Sequence, residues 1–184
     1  MSSRTNRTQL AACAIGLLTA GTLALSASPA SASGYYSGLA YVAGSGPYAD
    51  DWGNEGILST SSSTSSNATC LWQKILWADG AIESDGTTFD SADIDGVFGS
   101  NTKAATADWQ SAFGGTSDGV GVVGDDTFRA AGKGLEDQDN DRAVDHFDGS
   151  RYTINITRDA DGRYNFYDGD GNARLAGYDY RTCS

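Results

Sequence analysis

Two aromatic–glutamine pairs, Trp72-Gln73 and Trp109-Gln110, are the side chains whose type and spacing say most about this sequence. A glutamine amide both donates and accepts hydrogen bonds, and an indole ring packs in a core or stacks on a flat ligand. We expect both amides to hydrogen-bond the backbone of neighbouring loops. The pairs therefore predict a helical scaffold in which each amide holds an adjoining loop.

The residues that hydrolytic chemistry needs are sparse. His146 is the only histidine, whereas zinc hydrolases usually use two or three, or combine histidine with carboxylates. A serine triad would depend on the same histidine, and the chain contains no Gly-x-Ser-x-Gly turn. We expect His146 to lie at the surface or in a turn, and we assign no catalytic residue.

A glycosidase needs only two carboxylates, and the chain has 24 acidic residues. Its glutamates are Glu55, Glu83 and Glu136, and none has a sequence setting typical of a catalytic cleft. Hydrolase activity is therefore the least favoured alternative.

An acidic stretch near the C-terminal third resembles the calcium-binding loop of an EF-hand. Its aspartates follow that spacing at Asp137, Asp139, Asp141, Asp145 and Asp148. The position that requires glycine holds Arg142, and no flanking helices are evident. We therefore expect a solvated acidic loop, no metal site and no cofactor.

The first 32 residues have the pattern of a secretory signal. Arg4 and Arg7 precede an apolar run at residues 10–25, and small residues at 30–32 form a cleavage site. The run is too short for a membrane anchor. We expect a secreted protein, extracellular or associated with the cell wall.

Charge excludes two classes of partner. Beyond residue 32, 10 basic residues face 24 acidic ones, a net charge of −14. Such a chain repels nucleic acid and anionic membranes. Oligomeric state is left open.

Cysteine usage agrees with export. Cys13 lies in the signal, so Cys70 and Cys183 remain and are expected to form a disulfide. Closing so long a loop contributes at most about 4–5 kcal/mol in the chain-entropy model.

Three helices are predicted to carry the aromatic–glutamine pairs. The first begins near Asn67 or Thr69 and stops at Gly80. The second follows Gly99, with Ser100 or Asn101 as its cap, and the third covers residues 125–131, with its cap at Asp125. Asp-Gly turns precede the second and third. Gly96 and Gly99 are both expected to permit a turn that a Cβ would block.

The regions on either side of the three predicted helices lack helical spacing of apolar residues. Residues 35–52 are aromatic enough for a weak hairpin, and the Ser/Thr run at 59–66 is typical of a linker or exposed loop. After an acidic loop at 135–148, alternating residues predict a three-stranded antiparallel meander. Its strands fall near residues 152–156, 164–166 and 175–180.

These residues together resemble the peptidoglycan-binding-like domain of secreted bacterial wall proteins. The first helix matches at Thr69, Trp72, Gln73, Leu76 and Gly80; the Asp-Gly-x-Phe-Gly-x-x-Thr motif at Asp95, Gly96, Phe98, Gly99 and Thr102; the second helix at Trp109 and Gln110; and the last part at Asp118, Gly119, Val123, Gly124, Thr127 and Phe128. Tryptophan replaces the usual leucine and phenylalanine at 72 and 109.

The resemblance and the flanking sequence patterns together support one prediction, an α+β fold: a three-helix peptidoglycan-binding-like core, which the resemblance implies, with a small C-terminal β-meander and a possible N-terminal hairpin, which the patterns indicate. It divides the chain into a signal peptide (1–32), a Gly/Ser/Thr-rich segment (33–66), the binding module (67–135), and an acidic loop with a β extension (136–184).

The implied function is non-catalytic binding of the peptide stem or glycan of peptidoglycan, in a shallow groove beside the second helix. The candidate ligand-binding residues are Trp77, Phe98, Asn101, Thr102 and Trp109. Phe98 and Trp109 are also expected in the core, whereas Trp77 lies one residue off the core row and is the better stacking surface. The alternative is a secreted interaction or inhibitor protein that re-uses the scaffold.

Overall fold

A computed structural model describes residues 40–141 and 143–183, so the predicted signal peptide lies outside the described residues. The helices are α1 (Asn67–Asp79), α2 (Ser100–Phe113) and α3 (Asp125–Ala131). The strands are β1 (Leu135–Glu136), β2 (His146–Asp148), β3 (Thr153–Arg158), β4 (Tyr164–Tyr167) and β5 (Ala173–Leu175). Short 3-10 helices lie at Tyr48–Gly53, Ser91–Asp93, Thr116–Asp118 and Gly132–Gly134. No helix in these ranges is long and apolar enough to cross a membrane.

Helix α1 is the buried centre of the fold. Its N-cap is Ser66, whose hydroxyl oxygen accepts from the Thr69 amide at 3.0 Å, not Asn67 or Thr69 as predicted. It stops at Gly80 as predicted, where a φ of 72° gives the left-handed C-cap that glycine favours. Of its residues only Lys74, Trp77 and Asp79 escape full burial.

The bounds of α2 and α3 agree with the predictions, but their caps differ. Gly99 and Gly124 occupy the N-cap positions and offer no side chain. At α3 the missing acceptor is supplied by Asp118, not Asp125. The Asp118 carboxylate accepts from the amides of Gly124 at 3.0 Å and Thr127 at 2.7 Å. A remote carboxylate thus does the work of a cap.

Gln73 holds the turn that leads into α2, as predicted for its amide. Its Nε2 donates to Asp95 Oδ1 at 2.9 Å, to the Val97 carbonyl at 3.1 Å and to Thr102 Oγ1 at 3.1 Å. Its Oε1 accepts from the Gly96 amide at 2.7 Å. One buried side chain therefore satisfies the turn and the start of the next helix together.

Gln110 repeats this arrangement one helix later. Its Oε1 accepts from the Gly121 amide at 2.8 Å, and its Nε2 donates to Thr127 Oγ1 at 2.9 Å. The same nitrogen also lies within hydrogen-bond distance of three carbonyls, those of Gly115, Gly119 and Val122. The helix–turn–helix unit is thus used twice, which confirms the predicted role of both amides.

The glycine that the first turn requires is Gly96 and not Gly99. Gly99 has a φ of −87°, and a Cβ there would meet nothing within 4 Å. Gly96 has a φ of +72°, and its Cβ would lie 2.7 Å from Cys70 Sγ. The prediction that Gly99 needs glycine geometry is wrong, because the strain falls three residues earlier.

Aromatic side chains fill one core shared by the helices and the sheet. Trp72 makes edge-to-face contacts with Trp109 at 5.1 Å and with Phe128 at 5.9 Å. Trp52 continues the cluster, with its ring centroid 5.8 Å from Phe128 and 5.1 Å from Tyr164 of the sheet. These geometries are the favoured ones for aromatic pairs.

The C-terminal sheet is antiparallel as predicted but has five strands, in the order β1-β2-β3-β4-β5. The two additional strands lie in the stretch predicted as acidic loop, and His146 belongs to β2, paired with Asn155 of β3. The last strand ends at Leu175, so Tyr178 and Tyr180 follow it instead of extending it.

Part of the predicted N-terminal hairpin lies outside the described residues. From residue 40 onwards this segment bridges the C-terminal part, with Tyr41 opposite Gly177 and Ala43 opposite Arg163. The Ser/Thr run is an ordered loop whose two ends, Ser59 and Ser66, are buried. The Ser59 hydroxyl accepts a backbone hydrogen bond within the loop, and Ser66 caps α1.

The predicted disulfide between Cys70 and Cys183 is present. It is reinforced by Asn67, which is fully buried at the start of α1. Its Nδ2 donates to the Leu175 carbonyl at 2.9 Å, and its Oδ1 accepts from the Thr182 amide at 2.7 Å. The C-terminal segment is therefore fixed to α1 by covalent and hydrogen bonds.

Candidate functional site

Three of the five predicted ligand-binding residues are structural. Phe98, Thr102 and Trp109 are 2–3 % exposed. The Thr102 hydroxyl accepts from Gln73, and the Trp109 indole N–H donates to Asp79 Oδ2 at 2.7 Å. In this conformation they position the turn and α2 and present no surface to a ligand.

Trp77 is half-buried on α1 and lies beside a second aromatic ring. Its ring stacks on Tyr152, with centroids 4.7 Å apart and planes at 23°. The ammonium of Lys74, one turn earlier, lies 5.8 Å from the Trp77 ring centroid, within the range of a cation–π contact.

Asn101 is exposed in the first turn of α2. The Ser84 hydroxyl donates to its Oδ1 at 3.4 Å, so Asn101 contacts the beginning of the loop at residues 81–94. Trp77 meets the end of that loop, near Ser91 and Ile94. Among the described residues, the contacts of Trp77 and Asn101 share no partner, and the two are not brought together.

A cavity of about 190 Å³ opens beside Trp77, and we call it the junction cavity. Helix α1 contributes Lys74 and Trp77, and the loop before α2 contributes Ser91 and Ile94. The opposite wall comes from the β4–β5 hairpin, which contributes Phe166 and Asp168. The cavity therefore lies between the helical core and the C-terminal sheet.

The two charges in the junction cavity differ in how they are satisfied. The Asp168 side chain is 2 % exposed and accepts from Arg174 Nε at 2.7 Å and from the Asn172 amide at 2.8 Å. These hydrogen bonds hold the pKa of Asp168 at about 2, and the one from the Asn172 amide contributes most. Burial lowers the pKa of Lys74, and the more distant Asp168 charge only partly offsets this.

Sequence reasoning found Trp77 but missed the other walls. Lys74 sits on the same helix and its spacing from Trp77 was visible. Phe166 and Asp168 carry no sequence signal that relates them to α1, because a contact across about 90 residues depends on how the sheet docks.

A second, open cavity of about 620 Å³ lies on the outer face of the sheet, lined by polar residues including His146, Asn155 and Tyr167. At its edge, carboxylate oxygens of Asp137, Asp139 and Asp145 lie within 4.8 Å of one another.

This acidic group does not assemble the EF-hand ligand set. Asp141 Oδ1 accepts from the Ala143 amide at 2.7 Å, and Asp148 Oδ1 accepts from the Thr153 hydroxyl at 3.0 Å. Strands β1 and β2 flank the loop where an EF-hand has helices. The absence of a metal and of any cofactor stays a prediction.

Glu55 has a strongly shifted pKa, raised to about 8 by burial. It is 3 % exposed, and its two oxygens accept from the Ala43 amide at 3.0 Å and from the Tyr178 hydroxyl at 2.8 Å. The carboxyl group is thus enclosed by its partners, which suits a structural role better than contact with a substrate.

Comparison with known families gives one match. Residues 83–131 match the family model described as "Putative peptidoglycan binding domain". The match confirms the resemblance found in the sequence and covers α2 and α3, but it begins after α1. No curated protein and no solved structure matches the chain.

Proposed function

We propose that the protein is a secreted, non-catalytic peptidoglycan-binding protein. The observation that carries the proposal is the match of residues 83–131 to a peptidoglycan binding domain. Gln73, which precedes the matched part, holds the turn before α2 as Gln110 holds the turn before α3. Binding uses the half-buried Trp77 and the exposed Asn101. The ligand is the peptide stem or glycan of the wall.

Binding without hydrolysis is supported by the state of Glu55. Glu55, whose raised pKa would suit a general acid, has both oxygens hydrogen-bonded inside the fold. A general acid must reach the bond it protonates, and this one does not.

Retention on purified wall sacculi tests the function. We expect the protein to sediment with sacculi, and replacing Trp77 or Asn101 with alanine to weaken retention about tenfold, the cost of one lost stacking or hydrogen-bonding contact. His146→Ala is the control and should bind as the parent does. If folded Trp77→Ala and Asn101→Ala variants both bind normally, the binding surface lies elsewhere.

A turbidity assay on the same sacculi tests the absence of hydrolysis, and we expect no clearing. If the parent stays in the supernatant with sacculi of several wall types, peptidoglycan binding is contradicted. The scaffold would then serve a protein partner, which was the alternative from the sequence.

A further inference from the structure

The junction cavity places a lysine ammonium beside an apolar, aromatic wall. We infer that this cavity binds the carboxylate end of a peptide, with the carboxylate on Lys74 and the adjoining small side chain against Trp77. The inference rests on the proposed function, since it names the wall peptide stem as the part of peptidoglycan that is recognised. It also makes the C-terminal sheet part of the binding site.

The charge argument begins with Lys74. Within the described part of the chain, no carboxylate lies at salt-bridge distance from its ammonium, and it makes no hydrogen bond. Its nearest acidic neighbour, Asp168, is already neutralised by Arg174 at 2.7 Å. A partly desolvated cation that contacts an aromatic ring but pairs with no anion gains most from an anionic group that enters the cavity.

The shape of the cavity favours a peptide end over a sugar chain. A volume of about 190 Å³ corresponds to roughly six waters. Trp77, Ile94 and Phe166 offer apolar surface to methyl-sized side chains, and polar groups that could bind a row of sugar hydroxyls are few. One cation beside an apolar wall matches one carboxylate beside an aliphatic side chain.

The site is incomplete without the C-terminal sheet. Phe166, Asp168 and Cys183 line the cavity, and all three follow the matched family residues in the chain. The Cys70–Cys183 disulfide holds this wall against α1. The helical module alone would present Lys74 and Trp77 on an open surface.

The first experiment uses the unmodified protein and two small probes. Acetyl-D-alanyl-D-alanine carries a free carboxylate, and its C-terminal amide is the matched neutral probe. We expect the acid to bind at least tenfold more tightly in calorimetry, because the amide loses the charge-assisted hydrogen bond. Amide NMR shifts caused by the acid should appear both near Lys74 and at residues 166–169.

Equal binding of the acid and the amide, or binding of neither, overturns the inference. Shifts confined to the first turn of α2 around Asn101 would also overturn it, since they would place the ligand in the groove beside that helix. Neither result depends on a variant that folds poorly.

The second experiment compares lysine variants in the sacculus assay. We expect Lys74→Gln to weaken retention by about tenfold to hundredfold, while the exposed Lys133→Gln, which removes the same charge, has no effect. Equal retention of the two variants, with unchanged melting temperatures, contradicts the role of Lys74. If the parent itself fails to bind sacculi, the proposed function fails, and the acid and amide probes still decide the cavity.

Discussion

Gln110 shows at the scale of one residue how the helices are connected. It is 2 % exposed, and its amide satisfies the Gly121 N–H, Thr127 Oγ1 and nearby carbonyls. Leucine has nearly the same volume but no polar group, so it would leave those partners buried and unpaired.

We therefore expect Gln110→Leu to lower the free energy of unfolding by at least about 2 kcal/mol, since each stranded group costs about 1–3 kcal/mol. Chemical denaturation under oxidising conditions measures this. Gln138→Leu makes the same change at an exposed position and should alter stability by less than about 0.5 kcal/mol. Similar values for the two variants would show that the Gln110 hydrogen bonds contribute little.

Glu55 makes stability depend on pH. Burial, reinforced by the Asp51 charge and opposed by its hydrogen bonds, raises its pKa from 4.5 to about 8. Between these values the native state holds a proton that the unfolded state has released. The stability that comes from protonated Glu55 is therefore present in full below pH 4.5 and is lost as pH rises to about 8.

We expect the free energy of unfolding to fall across that window by up to about 1.4 kcal/mol per pH unit, and Glu55→Gln to flatten the fall. The buried Asp51, whose pKa burial also raises, contributes a slope of the same sign that remains. Denaturation curves from pH 5 to pH 8 measure both, with the exposed Glu136→Gln as control. A parent stability independent of pH would show that Glu55 is ionised in the native state.

The core row of α1 could be predicted from the sequence, whereas the exposure of the candidate ligand-binding aromatics could not. The helical row containing Trp72 gave the right core, and Trp77, one position off the row, proved half-buried. Phe98 and Trp109 were kept as ligand candidates because an aromatic ring suits both a core and a sugar. Only packing distinguishes the two, and it buries both rings to 2 % exposure.

At the scale of elements, the turn before α2 depends on Gly96. An alanine there must adopt a φ near +72° and bring its Cβ within 2.7 Å of Cys70 Sγ and Arg181 Cδ. The neighbouring Gly99 has ordinary extended geometry with open space around it.

We expect Gly96→Ala to lower stability by at least about 1 kcal/mol and Gly99→Ala to leave it within about 0.5 kcal/mol of the parent. Thermal unfolding of the two variants, which differ only in position, separates conformational strain from a general effect of replacing glycine. A larger loss at Gly99 would mean that the turn is built differently.

Helix ends were predictable because glycine and Asp-Gly signals act over a few residues. Strands β1 and β2 were not, since they have two and three residues and lie in an acidic stretch without alternation. They form because β3 offers an edge: Phe147 pairs with Ile154, and Leu135 pairs with Phe147. Strand formation here is a tertiary effect.

At the scale of the whole molecule, α1 connects the two halves. One side packs on α2 through Trp72 and Trp109, and the other contacts the sheet and the C-terminal segment. The family match covers only residues 83–131, so the sheet and its docking on α1 lie beyond what the family resemblance could predict. The disulfide was predictable, because two cysteines lie beyond the predicted signal and they leave one pairing.

The disulfide and Asn67 both hold the C-terminal segment on α1, but they act on different states. The disulfide limits the unfolded chain, since its cysteines have a sequence separation of 113, whereas the Asn67 hydrogen bonds exist only in the native state. The fold should therefore survive without the covalent link, at lower stability.

We expect the Cys70→Ala/Cys183→Ala variant to fold and to lose about 2–5 kcal/mol in denaturation. Reductant should lower the parent to a similar stability and leave the variant unchanged, which separates the covalent link from the loss of two buried sulfurs.

Adding Asn67→Ala should lower the stability of the variant by at least a further ~1–3 kcal/mol. The amides of Thr182 and Cys183 lose their acceptor, and in the variant no covalent bond holds the segment on α1. If the stability of the parent does not change with reductant, the disulfide is either inaccessible or absent. Alkylation of the native protein before mass spectrometry would distinguish an inaccessible disulfide from two free thiols. A variant that unfolds outright would show that Asn67 and the core cannot hold the sheet on α1 unaided.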